Sequence, residues 1–481
     1  MSIIEYLFNA LANGSEFHNY GENLLKIVTA QEEKMSGKMF EKFAIFAVMA
    51  ALLLGSAVSF AEDQTNASLS RNGYTLEQVV VLSRHNIRSP LSGKGSILGE
   101  ITPHEWFSWS SAPSELSLRG GVLETEMGQF FRKWLEEEGL IPDNYRPEGN
   151  EVRLYANSKQ RTITTSQYFG SGFLPAAGLD IEYHVEFDSM DPVFSPNLTF
   201  VSDAYKEYAE AEIRALFTDK INDLADNYAL LADVIDVKDS NVLKDGTFTG
   251  FRTDDTEFSL NQDAEPAMSG SLKTGCSVAD ALVLQYYEEP DELKAAFGHR
   301  LTDDQWKVIT EIKDLYVDVL YTAPLIAVNV AHPLLQEIRA EMDAEGRLFT
   351  FLCGHDSNVA SVLSALGAEK YVLPDAIETQ TPIGCKLVFS KWTDAEGKHF
   401  WGVDMVYQTP EQLRTMPLLT LDDPPAVFPI VLSGLDPNQD GLYAEEDMLD
   451  RLDQAIEAYD TLVENYSEVV PAEEPVMAVV P

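Results

Sequence analysis

Apolar residues fall in two patterns along this chain of 481 residues. Short continuous runs between polar flanks predict buried strands at Glu77–Ser83 (EQVVVLS), Val152–Ala156 (VRLYA) and Leu348–Cys353 (LFTFLC). Elsewhere the apolar positions recur every three or four residues. Tyr205, Tyr208, Ala209, Ile213, Leu216, Phe217, Ile221 and Leu224 predict one amphipathic helix over Ala204–Asp233. Ser277–Tyr287, Asp303–Leu320 and Ala444–Leu462 predict helices as well. Strands alternating with helices in the first third, and again after about residue 345, predict an α/β fold with a mainly parallel sheet. The middle, residues 186–305, predicts a mostly helical insertion that caps a cleft. Residues 62–185 and 306–465 then form one α/β domain, and residues 466–481 a mobile acidic tail with prolines.

One apolar run fits neither pattern. Phe43–Val58 is almost uninterrupted, follows Lys34, Lys38 and Lys42, and leads into Ser59-Phe60-Ala61. A basic start, a short apolar stretch and small residues before a cut make a secretory signal, with cleavage after Ala61. The run is shorter than the roughly 20 residues of a membrane-spanning helix. Residues 1–61 are therefore read as an extension plus signal peptide, with translation expected to start at Met35 or Met39. The mature protein is expected to be exported to the periplasm, with no stable membrane association.

Charge sharpens the picture. The chain carries −44, and removing the 4 basic and 6 acidic residues of 1–61 leaves −42. Such a surface repels nucleic acid and anionic membranes. It also repels phosphorylated molecules, unless cations are concentrated in one cleft. The three cysteines, Cys276, Cys353 and Cys385, are too few for a disulfide framework, and whether Cys353 and Cys385 pair stays open.

The positions of the few arginines are therefore informative. The first strand leads into Arg84-His85-Asn86-Ile87-Arg88-Ser89-Pro90, the second into Asn157-Ser158-Lys159-Gln160-Arg161-Thr162, and the third into Gly354-His355-Asp356. Functional residues of open α/β sheets gather at the carboxyl ends of strands. Guanidinium groups fork onto phosphate oxygens and stay charged at any working pH. Each residue has a plainer reading too: His85 as a structural loop histidine, Arg161 as a surface ion pair, Asp356 as the cap of a helix beginning near Asn358. The concentration of cations at three strand ends favours a phosphate site.

The first motif, with the distant Gly354-His355-Asp356, resembles the histidine acid phosphatases. Asn86 stands where that family usually has Gly, which is similar to its bacterial periplasmic glucose-1-phosphatase branch. Met190-Asp191-Pro192, Leu284-Gln285-Tyr286-Tyr287-Glu288, Gln305-Trp306-Lys307-Val308 and Thr381-Pro382-Ile383-Gly384 resemble that branch in the same order, from about Leu76 to about Leu452.

This resemblance implies a phosphoglycerate-mutase-like three-layer sandwich and a phosphatase working through phosphohistidine. His85 is the expected nucleophile, and Arg84, Arg88 and Arg161 are the expected phosphate ligands. The resemblance further implies that His355 donates to the phosphate and that Asp356 is the general acid and base. No metal or other cofactor is expected, because arginines supply the positive charge. An acid that starts protonated predicts an acidic optimum. The resemblance places Glu265 against sugar hydroxyls and Leu91 where it narrows the pocket. Glucose-1-phosphate or a similar small sugar phosphate is the expected substrate. Inositol phosphates are the alternative, and a phosphosugar-binding protein without turnover is the non-enzyme alternative. Separately, Asp436-Pro437-Asn438-Gln439-Asp440-Gly441, with Asp447 at the twelfth position, has the outline of a calcium loop; an acidic turn before a helix is its plainer reading.

Overall fold

The computed structural model describes residues 68–92 and 96–467. The expected signal segment 1–61, and the tail beyond residue 467, lie outside the described residues. The three expected strands are present as β1 (Thr75–Arg84), β2 (Val152–Ala156) and β6 (Phe349–Gly354). They join β3 (Ile181–Glu182), β7 (Lys386–Thr393), β8 (His399–Tyr407), β9 (Ala426–Pro429) and β10 (Tyr443–Ala444) in one sheet. Its order is β10-β8-β7-β1-β6-β2-β3, with β9 also paired to β8. A separate hairpin pairs β4 (Glu257–Ser259) with β5 (Ala267–Ser269).

Neighbours β1, β6, β2 and β3 are parallel. β7 opposes β1, and β8 opposes β7, so β8 regains the direction of β1. With β9 and β10 opposing β8, five of the eight strands run one way and three the other. The sheet is mixed and mostly parallel in direction.

Side-chain alternation along the strands explains the layers. On one face Val79 and Val81 of β1, with Phe349 and Phe351 of β6, pack against helices α1 (Leu118–Glu137) and α2 (Gln160–Phe173). On the other face Val80, Leu82 and Leu352 pack against α7 (Pro324–Met342), α8 (Asp356–Ala365) and α9 (Glu445–Tyr466). Helices α1 and α2 touch at backbone distance because each contributes a glycine. A Cβ on Gly128 would lie 2.1 Å from the Phe169 carbonyl oxygen, and one on Gly172 would lie 1.9 Å from that of Thr125.

A further apolar core joins α3 (Asp203–Asn222), α4 (Ala225–Val234), α5 (Ser271–Glu288) and α6 (Asp303–Tyr321). The single helix expected over Ala204–Asp233 is two, with a corner at Asp223 and Leu224. Asn222 and Asp223 are weak helix formers, which suits them to the corner. The apolar period runs on because Ile221, Leu224 and Tyr228 all enter the same core, so periodicity alone hides the break.

Candidate active site

Topology brings the three strand ends together. β6 lies between β1 and β2, and all three point the same way. Arg84 stands beside Gly354 in register, and Ala156 beside Cys353. The next residues of each strand therefore emerge at one edge: Arg84-His85 from β1, His355-Asp356 from β6, and Asn157 to Arg161 from β2.

His85 is buried, and its Nδ1 lies 2.9 Å from the Asn86 carbonyl oxygen. A carbonyl only accepts, so Nδ1 carries the proton and Nε2 keeps its lone pair. Burial lowers the His85 pKa well below the ordinary histidine value, and the charges of Arg161 and Arg88 lower it further. The imidazole is thus neutral in mildly acidic solution, where an exposed histidine would be protonated.

His355 faces His85 edge-on, with ring centroids 5.4 Å apart. Its Nε2 lies 2.7 Å from Nδ2 of Asn157. That amide is oriented by the Asp191 N–H, which donates to Asn157 Oδ1 at 2.9 Å. Nε2 of His355 must therefore accept, and Nδ1 carries the proton. The Arg161 guanidinium lies 3.4 Å from this Nδ1. Two donors side by side suit an anionic oxygen shared between them.

The three arginines differ in their partners. Arg84, fully buried, pairs with Asp356 at 3.2 Å and Glu378 at 3.0 Å. Arg88 pairs with Asp280 of α5 at 3.1 Å. Arg161 has no carboxylate partner among the described residues. Burial and the nearby Arg88 pull its pKa to about 10, which still leaves it charged. Asp356 opens α8, two residues earlier than the sequence pattern suggested, and His355 occupies the cap position instead. Asp356 Oδ1 accepts the Ser357 N–H at 2.9 Å. Burial would raise its pKa, but the charges of Arg84 and Lys313 hold the carboxyl well below the usual range.

Several contributors carry no signal in the motifs. Lys313 of α6 pairs with Glu378, which also accepts the Tyr287 hydroxyl at 3.1 Å and the Ile383 N–H at 3.1 Å. Burial opposes its ionisation, yet Lys313 and Arg84 pull the Glu378 carboxyl down to about 2. Glu378, Lys313 and Asp280 read in the sequence as ordinary charged residues. Of these residues only Tyr287 and Ile383 sit in the stretches that carry the family resemblance.

The outer residues are less enclosed. Glu265 is solvent-exposed, accepts the Tyr321 hydroxyl at 3.3 Å, and lies within electrostatic reach of Arg161 and Asp356. Leu91 is 59% exposed. Cys353 and Cys385 are buried free thiols on opposite sides of β1, so no disulfide joins them. In the acidic loop, Asn438 Oδ1 accepts the N–H groups of Asp440 and Leu442 at 3.0 Å each. Among the described residues no three His, Cys, Asp or Glu side chains gather to hold a metal ion.

Most of the chain has clear relatives. Residues 75–405 match the histidine phosphatase superfamily (branch 2). The chain is 38% identical over 392 residues to a glucose-1-phosphatase of Salmonella typhimurium, covering 81% of this chain and 92% of that one. It is 37% identical over 422 residues to a glucose-1-phosphatase of Providencia rettgeri, covering 86% and 99%. Among solved structures, the apo form of a Hafnia alvei phytase has a TM-score of 0.73 at 26% identity, over 81% of this chain and 99% of that one. The chain therefore belongs to the histidine acid phosphatases, branch 2 of the histidine phosphatase superfamily, and is a phosphatase more similar to the glucose-1-phosphatases than to the phytase.

Proposed function

We propose that this phosphatase hydrolyses small sugar phosphates, glucose-1-phosphate foremost, through a phosphohistidine on His85. The observation that carries the reading is the hydrogen bond from His85 Nδ1 to the Asn86 carbonyl, which leaves Nε2 as a neutral nucleophile beside three arginines. Arg88, Arg161 and the His355 N–H hold the non-bridging oxygens, and Arg84 stabilises charge gathering in the transition state. Nε2 bonds to phosphorus as the ester P–O bond breaks, and Asp356 delivers a proton to the departing alkoxide. Water then attacks phosphorus, the N–P bond breaks, Asp356 takes the water's proton, and phosphate leaves. These steps need no group beyond the chain's own residues and water.

Glu265 at the mouth is read as the contact for sugar hydroxyls, and Leu91 as a residue that narrows access. Residues 186–305, whose helices share an apolar core with α6 and with Ile87 and Leu123, are read as a cap on a phosphoglycerate-mutase-like three-layer sandwich built from 62–185 and 306–465. Export through the segment ending at Ala61 is part of the same reading. N-terminal sequencing of periplasmic protein is expected to begin at Glu62, and a first residue upstream of Phe43 would overturn it.

Similarity to a phytase keeps inositol phosphates as the second reading. Hydrolysis of glucose-1-phosphate and of inositol hexakisphosphate at pH 5 separates the two. The expected kcat/KM favours the sugar phosphate by about 10-fold or more. A preference for inositol hexakisphosphate would overturn the substrate while leaving the mechanism.

A further inference from the structure

The residue after the nucleophile is held by a buried polar network that phosphate binding does not use. Asn86 is fully buried, and its carbonyl fixes the His85 tautomer. Three contacts place that residue: its N–H donates to Thr165 Oγ1 at 3.2 Å, its Oδ1 accepts the Ile87 N–H at 2.8 Å, and its Nδ2 donates to Glu124 Oε1 at 2.8 Å. The same Glu124 oxygen accepts Lys386 Nζ at 2.8 Å, and Lys386 also donates to the Gly384 carbonyl at 2.7 Å. The Gly384 N–H donates to the His85 carbonyl at 3.1 Å, so the loop closes on the nucleophile's own backbone. Gly384 has φ +70°, and a Cβ there would stand 2.4 Å from Asn86 Nδ2. Glycine leaves room for the asparagine.

Energetics argue that this network is not a stability device. Both side chains of the Glu124–Lys386 pair are 0% exposed. Removing two ions from water costs several kcal/mol each, and a buried pair is often matched or bettered by apolar residues of the same volume. Glu124 Oε2 is buried without any hydrogen-bond partner, so the carboxylate is left half satisfied. What the arrangement does provide is direction. One carboxylate oxygen, anchored by a lysine, pulls on the asparagine whose carbonyl orients the imidazole.

We propose that Glu124 and Lys386 are positioning residues that act through Asn86 to hold His85 with its proton on Nδ1 and its lone pair on Nε2. This rests on the reading of His85 as nucleophile. A histidine held in the wrong tautomer cannot attack from Nε2, and orienting partners of a reactive imidazole govern its rate strongly.

The test compares the parent with the double variant Glu124→Leu/Lys386→Met, which removes both charges together, and with Asn86→Ala, which leaves the ion pair intact. Rapid mixing with a labelled sugar phosphate measures the rate of phosphohistidine formation, and nitrogen-15 spectra of labelled histidine report the tautomer. Phosphorylation is expected to slow by about 10–100-fold in either folded variant. KM is expected to stay within a few-fold, with the His85 signals moving toward a mixture of tautomers. Circular dichroism identifies which variants fold, and Asn86→Ala alone decides the matter if the double variant does not. Unchanged phosphorylation and tautomer in a folded variant would overturn the positioning role alone. Absence of phosphohistidine in the parent would instead overturn the nucleophile reading beneath it.

Discussion

Replacing His85 with alanine lowers kcat for sugar phosphate hydrolysis by about 10,000-fold or more and abolishes the trapped phosphoenzyme. A large loss is expected because the arginines and His355 remain to bind phosphate but no group is left to attack it. Phosphate affinity is expected to change little, and equilibrium binding of inorganic phosphate checks this. Full activity in the variant would remove the mechanism. The same substitution also has a signature in stability. His85 is kept neutral in the folded protein, while in the unfolded chain it takes up a proton below about pH 6.5. The unfolded state thus binds more protons, and the parent loses stability as pH falls from 7 toward 5. The variant lacks this contribution, so its stability relative to the parent is expected to improve over that window, as read by melting temperature. A relative stability independent of pH would contradict the depressed pKa.

The strand ends that hold the site were legible because β6, most of β1 and the last three residues of β2 are buried on both faces. Buried parallel strands are continuous apolar runs, and the residues just past each run must sit at the sheet edge. The order of strands was not legible. Nothing in the local pattern says that β6, some 200 residues further on, inserts between β1 and β2, yet that insertion is what sets His355 beside Arg161. The residues that hold the arginines were hidden for a related reason. Glu378 and Asp280 are acids in a chain with 78 of them, and only tertiary packing reveals that they face Arg84 and Arg88. Glu124 and Lys386 were hidden more deeply, since a helix residue and a strand residue 262 positions apart carry no shared pattern. The helix corner at Asp223 was masked because one apolar core serves both arms. Sequence periodicity reports which face is buried, and it is silent on where the chain turns within that face.

Substituting Asp356 with asparagine is expected to lower kcat for sugar phosphates by about 100- to 10,000-fold, the range of a lost general acid. An aryl ester whose leaving group departs without a proton should lose far less. KM should not rise, because removing a carboxylate 3.2 Å from Arg84 leaves more positive charge for the phosphate. Equal losses for both esters would mean that Asp356 places the phosphate and does not protonate the leaving group. The pH dependence then has a different origin from the one the sequence suggests. An acid must hold a proton, yet, although burial opposes it, Arg84 and Lys313 keep Asp356 ionised in the free protein. The proton therefore arrives with the substrate. A phosphate monoester loses its second proton near pH ~6, so below that it enters as the monoanion. A bound phosphate also adds negative charge beside Asp356, which raises the carboxyl's proton affinity at the moment the acid is needed. His85, whose pKa burial and the neighbouring arginines lower well below the usual histidine value, stays a neutral nucleophile in mildly acidic solution. The expected profile of kcat/KM is a fall above about pH 6 that moves with the second pKa of the ester used. A limb fixed at one pH across esters of differing acidity would show that an enzyme group titrates there and that Asp356 begins the cycle protonated.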